Sequence, residues 1–449
     1  MSKEIRILAP CGMLGYGFPE ASLLRGLETE IHGIVVDAGS TDAGPHKLGA
    51  GASIVSRRAA KKDLELIIAN GLPRRIPIVI GSAGGSGAKT HVEWTLDIIR
   101  EILRERELQA NIAVIWADFE PDDIVRANRE GRITPMSPNI PALTEDAISG
   151  TTSIVAQMGH EPIVEALRSG SDIIVCGRAY DPSPFAAIGI VHGKDPGLSY
   201  HLGKILECGA LCAEPGTTKD SILGAIGDDG FTVQSLNPAR RCSPISVAAH
   251  TFYEKEHPYL LHGPGFVLDL EACRFEEVAD GVVKVTGSKL IPSEPYRIKL
   301  EGARLVAYRT FVVAGVRDPI LLGKLEEVEA LVERQTVEYY KEIPRDDYRI
   351  QFYNYGMNGV LGAKETEKFR GHEVGVLFEV VAKTQELADS ICATLRSTFL
   401  HYGYEERKAT AGNLAFPFSP SDISFGPVYE FSVYHLMEVR DNPFRIQYL

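Results

Sequence analysis

Five short, almost uninterrupted apolar runs recur through the first part of the chain. They are EIRILA (4–9), HGIVV (32–36), IPIVI (76–80), NIAVIWA (111–117) and SDIIVCG (171–177). A run that is apolar on both faces fits a strand buried on both sides. Helical spacing appears between the runs. Val92, Leu96, Ile99 and Leu103 form one apolar stripe. Strands alternating with helices predict an α/β domain built on a parallel sheet covered on both faces. The segment PALTEDAISGTTSIVAQMGHEPIVEALRSG, ahead of the fifth run, reads as one or two further helices.

After about residue 220 the pattern changes. Short strand-like runs such as GFTVQSL, VVKVTGS and LVAYRTFVVAG dominate, interrupted by the helical stretch PILLGKLEEVEALVERQTVEYYKEI. Residues 374–381 and 386–399 then read as strand and helix, and FGPVYEFSVYHLMEV returns to strand. The expected organisation is an α/β domain over 1–345, β-rich from about 220, and a smaller α+β domain over 346–449. At 449 residues the chain is long enough for both.

The net charge of -13 is spread along the chain, which disfavours nucleic acid or an anionic membrane as a partner. An anionic substrate then needs local Arg, Lys or backbone N–H groups. No run of about 18 apolar residues is present, so no membrane-spanning helix is expected. The start MSKEIRILAP has no basic, apolar leader, so a cytoplasmic location is expected. Seven scattered cysteines without CxxC fit reduced thiols. Cys208 and Cys212 read as packing residues, since two thiols without a nearby His pair do not make a zinc site.

In an open parallel sheet, ligands bind beyond the carboxyl ends of the strands. Those ends carry Gly12 after the first run, and Asp37, Ser40 and Asp42 after the second. Ser82, Gly84, Gly85, Ser86 and Gly87 follow the third, Asp118 the fourth, and Arg178 and Asp181 the fifth. The loop VVDAGSTDAGP can hold a carboxylate pair with split pKa values for acid–base chemistry. It can equally ligate Mg²⁺ through oxygen, although nothing in the sequence demands a metal. A plain Asx turn is the bland alternative. GSAGGSGAK can aim N–H groups at a substrate carboxylate or a developing oxyanion, or its glycines can simply permit a tight turn. Arg178 can clamp a carboxylate or bridge internally to Asp181. His160 is a further catalytic candidate and His250 a further substrate-binding one. The glycine spacing of CGMLGYG is not the dinucleotide fingerprint, and neither HExxH nor GxSxG occurs. The stretch TAGNLAFPFSPSDISFGP reads as a lid carrying Asn413 and Asp422, or as a buried loop.

The stretches VVDAGSTDAGP, IGSAGGSGA, GHEPIVEALRSGSDIIVCGRAYDPS, AAHTFYEKEHPYLLHGPGFVLDL and AGNLAFPFSPSDI with GPVYEFSVYH resemble the AtuA-like family, named for acyclic terpene utilisation. The resemblance runs along nearly the whole chain. It implies a large AtuA-like domain, a smaller ferredoxin-like C-terminal region, and catabolism of carboxylic acids or terpenoid acyl-CoA compounds. It brings no catalytic residue set, so the candidates rest on their strand-end placement. The expected activity is a lyase of the hydratase or dehydratase type on a small hydroxy or unsaturated carboxylic acid or its CoA ester. Asp37 or Asp42 would take the proton, the loop 82–87 would stabilise the enolate-like charge, and Arg178 would hold the remote carboxylate. A metal-assisted hydrolase or isomerase, a dinucleotide-dependent oxidoreductase and a non-catalytic subunit of an acyl-CoA pathway complex stay open as alternatives. A homo-oligomer is the default state for such an enzyme.

Overall fold

The computed structural model describes residues 4–39, 44–253, 256–369, 371–408 and 410–449. The chain divides into two compact units, Met1–Arg304 with Phe431–Leu449, and Leu305–Glu430.

The first unit opens with strands β1 (Ile5–Ala9), β2 (Gly33–Asp37), β3 (Ile78–Gly81), β4 (Ile112–Ile115), β5 (Ile133–Pro135), β6 (Ser153–Ala156) and β7 (Ile173–Cys176). β1, β2, β3, β7 and β4 lie side by side in that order, all parallel, and correspond to the five apolar runs. Alternate residues serve opposite faces, as the two-residue strand period requires. Ile34, Val36, Ile78 and Ile80 pack with Leu64, Ile67, Leu96 and Ile99 of helices Arg57–Gly71 and Lys89–Glu105. Val35, Val79 and Ile174 pack with Ile163, Phe185 and Leu202 of helices Glu161–Arg168, Ser183–Val191 and Pro196–Leu206 on the other face.

The sheet is mixed rather than purely parallel. Ile222–Ile226 pairs antiparallel with β1, and Phe231–Ser235, Val282–Thr286 and Arg274–Ala279 continue the same sheet outward. Ile446–Tyr448 pairs antiparallel with β4 at the other edge. Short connections such as that from Ile226 to Phe231 can join only antiparallel strands, so the β-rich stretch extends the sheet in that sense. The segment expected to be helical does hold helices Glu145–Ser149 and Glu161–Arg168. Between them, SIVA forms β6 instead, paired antiparallel with Leu300–Ala303. Among the described residues no helix is long and apolar enough to cross a membrane.

In the second unit, the strand residues 308–316 pair antiparallel with Val374–Ala382, which pairs antiparallel with Tyr348–Tyr355. Helices Leu325–Tyr339 and Gln385–His401 place Val328, Val332, Ile391 and Leu395 in one core with Val312, Phe378 and Phe399. The division expected at residue 345 falls inside this unit, because helix Leu325–Tyr339 shares that core. The stretch around Asn413 and Asp422 is tied down internally. Asn413 Nδ2 donates to the carbonyls of Phe399 and Tyr402, and Arg396 bridges to Asp422 at 2.8 Å.

Candidate active site at the strand ends

β3 and β7 are parallel neighbours, yet the chain leaves them toward opposite faces. After β3 it enters helix Lys89–Glu105, and after β7 it enters helix Ser183–Val191. In doubly wound sheets such a divergence marks the place at the carboxyl ends where ligands bind.

Asp37 ends β2 in register with Gly81. A Cβ on Gly81 would stand 3.3 Å from the Asp37 Oδ1 atom, so the glycine leaves room for the carboxyl group. Asp37 is buried and accepts the Gly39 N–H at 3.1 Å. Burial and then the nearby Asp181 carboxylate raise its pKa well above the ordinary range, against the weaker pull of Gly39 and Arg178. Glu207 adds to the rise.

Arg178 organises the β7 side. Its Nη1 donates to Ser82 Oγ at 2.9 Å, Ala179 O at 2.8 Å and Asp181 Oδ1 at 2.7 Å. Its Nε donates to Glu301 Oε2 at 2.9 Å. The other Glu301 oxygen accepts from Lys299 Nζ at 2.9 Å and Gln157 Nε2 at 3.1 Å. Burial opposes the Glu301 charge, but Arg178 and Lys299 outweigh it and lower the pKa to about 2. Ser82 sits at φ 45°, a conformation that L residues enter only when their surroundings impose it. The result is a fixed Asp181 carboxylate, still one-third exposed, beside a buried Asp37.

A second cluster, at the end of helix Pro196–Leu206, reaches Asp37 electrostatically through Glu207. Lys204 Nζ bonds Glu207 Oε1 at 2.6 Å, and both side chains are buried. Burial works against the lysine charge, but Glu207 outweighs it and the pKa rises. The ammonium lies 4.9 Å from the Tyr253 ring, and Tyr253 OH meets Cys208 Sγ at 3.1 Å. Burial, then Glu207, push the Cys208 thiol up to about 12. His250 stacks on Tyr253 at 4.8 Å, and burial followed by Lys204 lowers its pKa to about 4. Neutral His250 keeps a buried Nε2 without a hydrogen-bond partner among the described residues.

The structure therefore brings Asp37, Ser82, Arg178 and Asp181 together and adds Lys204, Glu207, Cys208 and Tyr253. His250 joins through Lys204 and Tyr253. Ser40 and Asp42 lie outside the described residues. The glycines of the loop after β3 serve close packing. A Cβ on Gly84 would meet His91 at 2.8 Å, on Gly85 Ile54 at 2.5 Å, and on Gly87 the Arg178 nitrogen at 2.2 Å. The loop's Ala83, Gly85 and Gly87 N–H groups already donate to Cys176, Ser82 and Ala83 carbonyls, and Ser86 is buried. Gly12 lets the loop after β1 pass the Cys208 backbone, and its N–H donates to Thr218 O at 2.8 Å. Asp118 accepts from the Lys89 N–H at 2.9 Å at the start of helix Lys89–Glu105. His160 meets the Tyr200 hydroxyl at 3.0 Å. Among the described residues, neither is hydrogen-bonded to Asp37 or Asp181. Arg178, with Nε and Nη1 engaged, positions Asp181 rather than standing ready as a clamp for a substrate.

Sequence reasoning passed over Lys204 and Glu207, although a Lys and a Glu three apart in the buried helix-end run HLGKILEC were a signal. Charges in such a run must be paired. Lys299 and Glu301 alternate with buried Ile298 and Leu300, which marks them less clearly. Among the described residues no three His, Cys, Asp or Glu side chains are grouped to hold a metal ion.

These features define a doubly wound α/β protein with an acid–base cluster at its topological switch point. The chain belongs to the acyclic terpene utilisation protein AtuA family, which it matches over residues 57–405. No curated protein and no solved structure gives a match.

Proposed function

We propose that the chain is a catabolic enzyme of the dehydratase or hydratase type, acting on a hydroxy or unsaturated carboxylic acid or its CoA ester. The carrying observation is the unlike pair formed by Asp37 and Asp181. One is buried with a raised pKa, and the other is fixed by Arg178 and one-third exposed. A buried carboxyl group with a raised pKa can act as the acid while a neighbouring carboxylate acts as the base. In dehydration, the Asp181 carboxylate takes the proton from the carbon next to the carbonyl. Protonated Asp37 gives its proton to the departing hydroxyl as the carbon–oxygen bond breaks, releasing water and an alkene. A proton passing from Asp181 to Asp37 resets the pair. This assigns Asp37 the acid role rather than the base role expected from its loop. Lys204, beside Glu207, is the cation placed to meet the acyl oxygen. The family name, which ties its members to use of acyclic terpenes, supports a branched acyl substrate. We also read the second unit as ferredoxin-like, on its strand–helix–strand–strand–helix–strand order.

Mass spectrometry of the protein incubated with hydroxy, unsaturated and branched carboxylates, free and as CoA esters, tests the assignment. Gain or loss of water, reduced about 10²–10⁴-fold in both Asp37→Asn and Asp181→Asn, is expected. Solvent deuterium should enter the carbon next to the carbonyl in wild type and in Asp37→Asn but not in Asp181→Asn. No mass change across the panel, with no deuterium uptake, overturns it. Repeating the panel with EDTA separates the metal-assisted alternative.

A further inference from the structure

The second unit contains a cleft of about 900 Å³ that the strand-end chemistry does not use. One wall is helix Leu325–Tyr339, which presents Glu326, Glu329 and Glu333 at spacings of three and four. Like charges at those spacings disfavour a helix, so an acidic row of this kind works against local stability. Glu365 and Glu367 line the opposite rim, and no Lys or Arg is among the described lining residues. Arg345 reaches Glu333 at 2.7 Å from outside the lining.

Two polar groups at the floor are left incomplete. Asn354 Nδ2 donates to Glu329 Oε2 at 3.0 Å, and both residues are buried, 3% and 6% exposed. Glu329 Oε1 and Asn354 Oδ1 are buried without hydrogen-bond partners among the described residues. Both orphaned atoms are acceptors, so what completes them must donate. Burial, with Glu326 adding and Asn354 opposing, raises the Glu329 pKa to about 7, so an arriving cation would readily hold it ionised. Gln351, Tyr353 and Asn358 add neutral polar groups to the lining, and an apolar group stands beside them. Ile350, Phe352, Met357, Val360 and Leu361 face the cleft, and Val360 is 83% and Leu361 53% exposed. A metal ion fits poorly, since no three-ligand group exists among the described residues.

We infer that this cleft binds a protonated amine carried on an aliphatic chain, with the ammonium donating to Glu329 and Asn354 and the chain lying against Val360 and Leu361. The inference is independent of the reading of the strand-end site. The ammonium can belong to a small alkylamine or to a lysine side chain of another protein.

Calorimetric titration of the full chain at pH 8 tests it with n-butylamine, Nα-acetyl-lysine methylamide, n-butanol and calcium chloride. Saturable one-to-one binding of either amine is expected, at least about tenfold weaker in Glu329→Gln. The tighter of the two amines names the source. The exposed-rim change Glu367→Gln should weaken binding about two- to fivefold at low salt and not at high salt. Circular dichroism establishes that each variant is folded. If Glu329→Gln does not fold, the Glu367→Gln salt response decides. Butanol binding as tightly as butylamine, calcium binding in place of the amines, or amine affinity unchanged in the folded variants overturns the proposal.

Discussion

Asp37 illustrates how one buried side chain makes stability depend on pH. Its folded pKa is raised above its unfolded value, first by burial and then by Asp181. The folded state therefore binds the proton more tightly, and the stability it contributes is present at low pH and lost as pH rises. Asp37→Asn should leave the melting temperature nearly unchanged near pH 4 and raise it at pH 8, read by thermal denaturation at both values. A rise of equal size at both pH values would contradict the raised pKa. Glu301 carries the opposite sign, because Arg178 and Lys299 hold its pKa near about 2. Its contribution is present at neutral pH and fades as pH falls toward that value. Glu301→Gln leaves the Arg178 charge buried with one carboxylate fewer, so a loss of about 3–5 kcal/mol is expected in urea unfolding at pH 7. A loss below about 1 kcal/mol would mean that solvent reaches Arg178 more freely than its burial implies.

At the scale of elements, the loop from β3 to helix Lys89–Glu105 depends on close approach. Gly87 has φ +65°, and a Cβ there would lie 2.2 Å from the Arg178 nitrogen. Gly131 has a similar φ of +71° with open space around it. Gly131→Ala should cost about 1–2 kcal/mol, the backbone penalty alone. Gly87→Ala adds overpacking of about 1–3 kcal/mol, so chemical denaturation should rank it clearly lower. Equal losses would show that the Arg178 backbone yields. The central strands were legible because each is buried on both faces, and that writes a continuous apolar run such as GIVVD. β6 was not, because four residues between two helices carry no period long enough to separate strand from helix. At the site, the strand-end rule led to Asp37, Arg178 and Asp181. It could not reveal Glu301, which reaches Arg178 from a strand far along the chain, because a long-range ion pair leaves no local pattern. The glycine loop looked the same in sequence whether its N–H groups faced a ligand or its own turn, and only the backbone distinguishes the two.

Across the whole molecule, the two units have separate cores. Phe378, Phe399, Val332 and Leu395 form one within Leu305–Glu430, while the sheet of the first unit is packed by its own residues on both faces. Phe378 is fully buried, touching the rings of Phe352 and Phe399 at centroid separations of 5.8 and 6.0 Å. Removing its ring leaves a cavity among rigid neighbours, and such a change costs about 3–5 kcal/mol. If stability is partitioned as the cores are, Phe378→Ala should accelerate amide hydrogen exchange across Leu305–Glu430 and leave β1, β2, β3 and β7 protected as in wild type. Loss of protection in both regions together would show that they open as one cooperative body. The first outcome carries a functional consequence. The proposed strand-end activity would survive in Phe378→Ala while the proposed amine binding at Glu329 fell, so the two sites would be separable by a single core substitution.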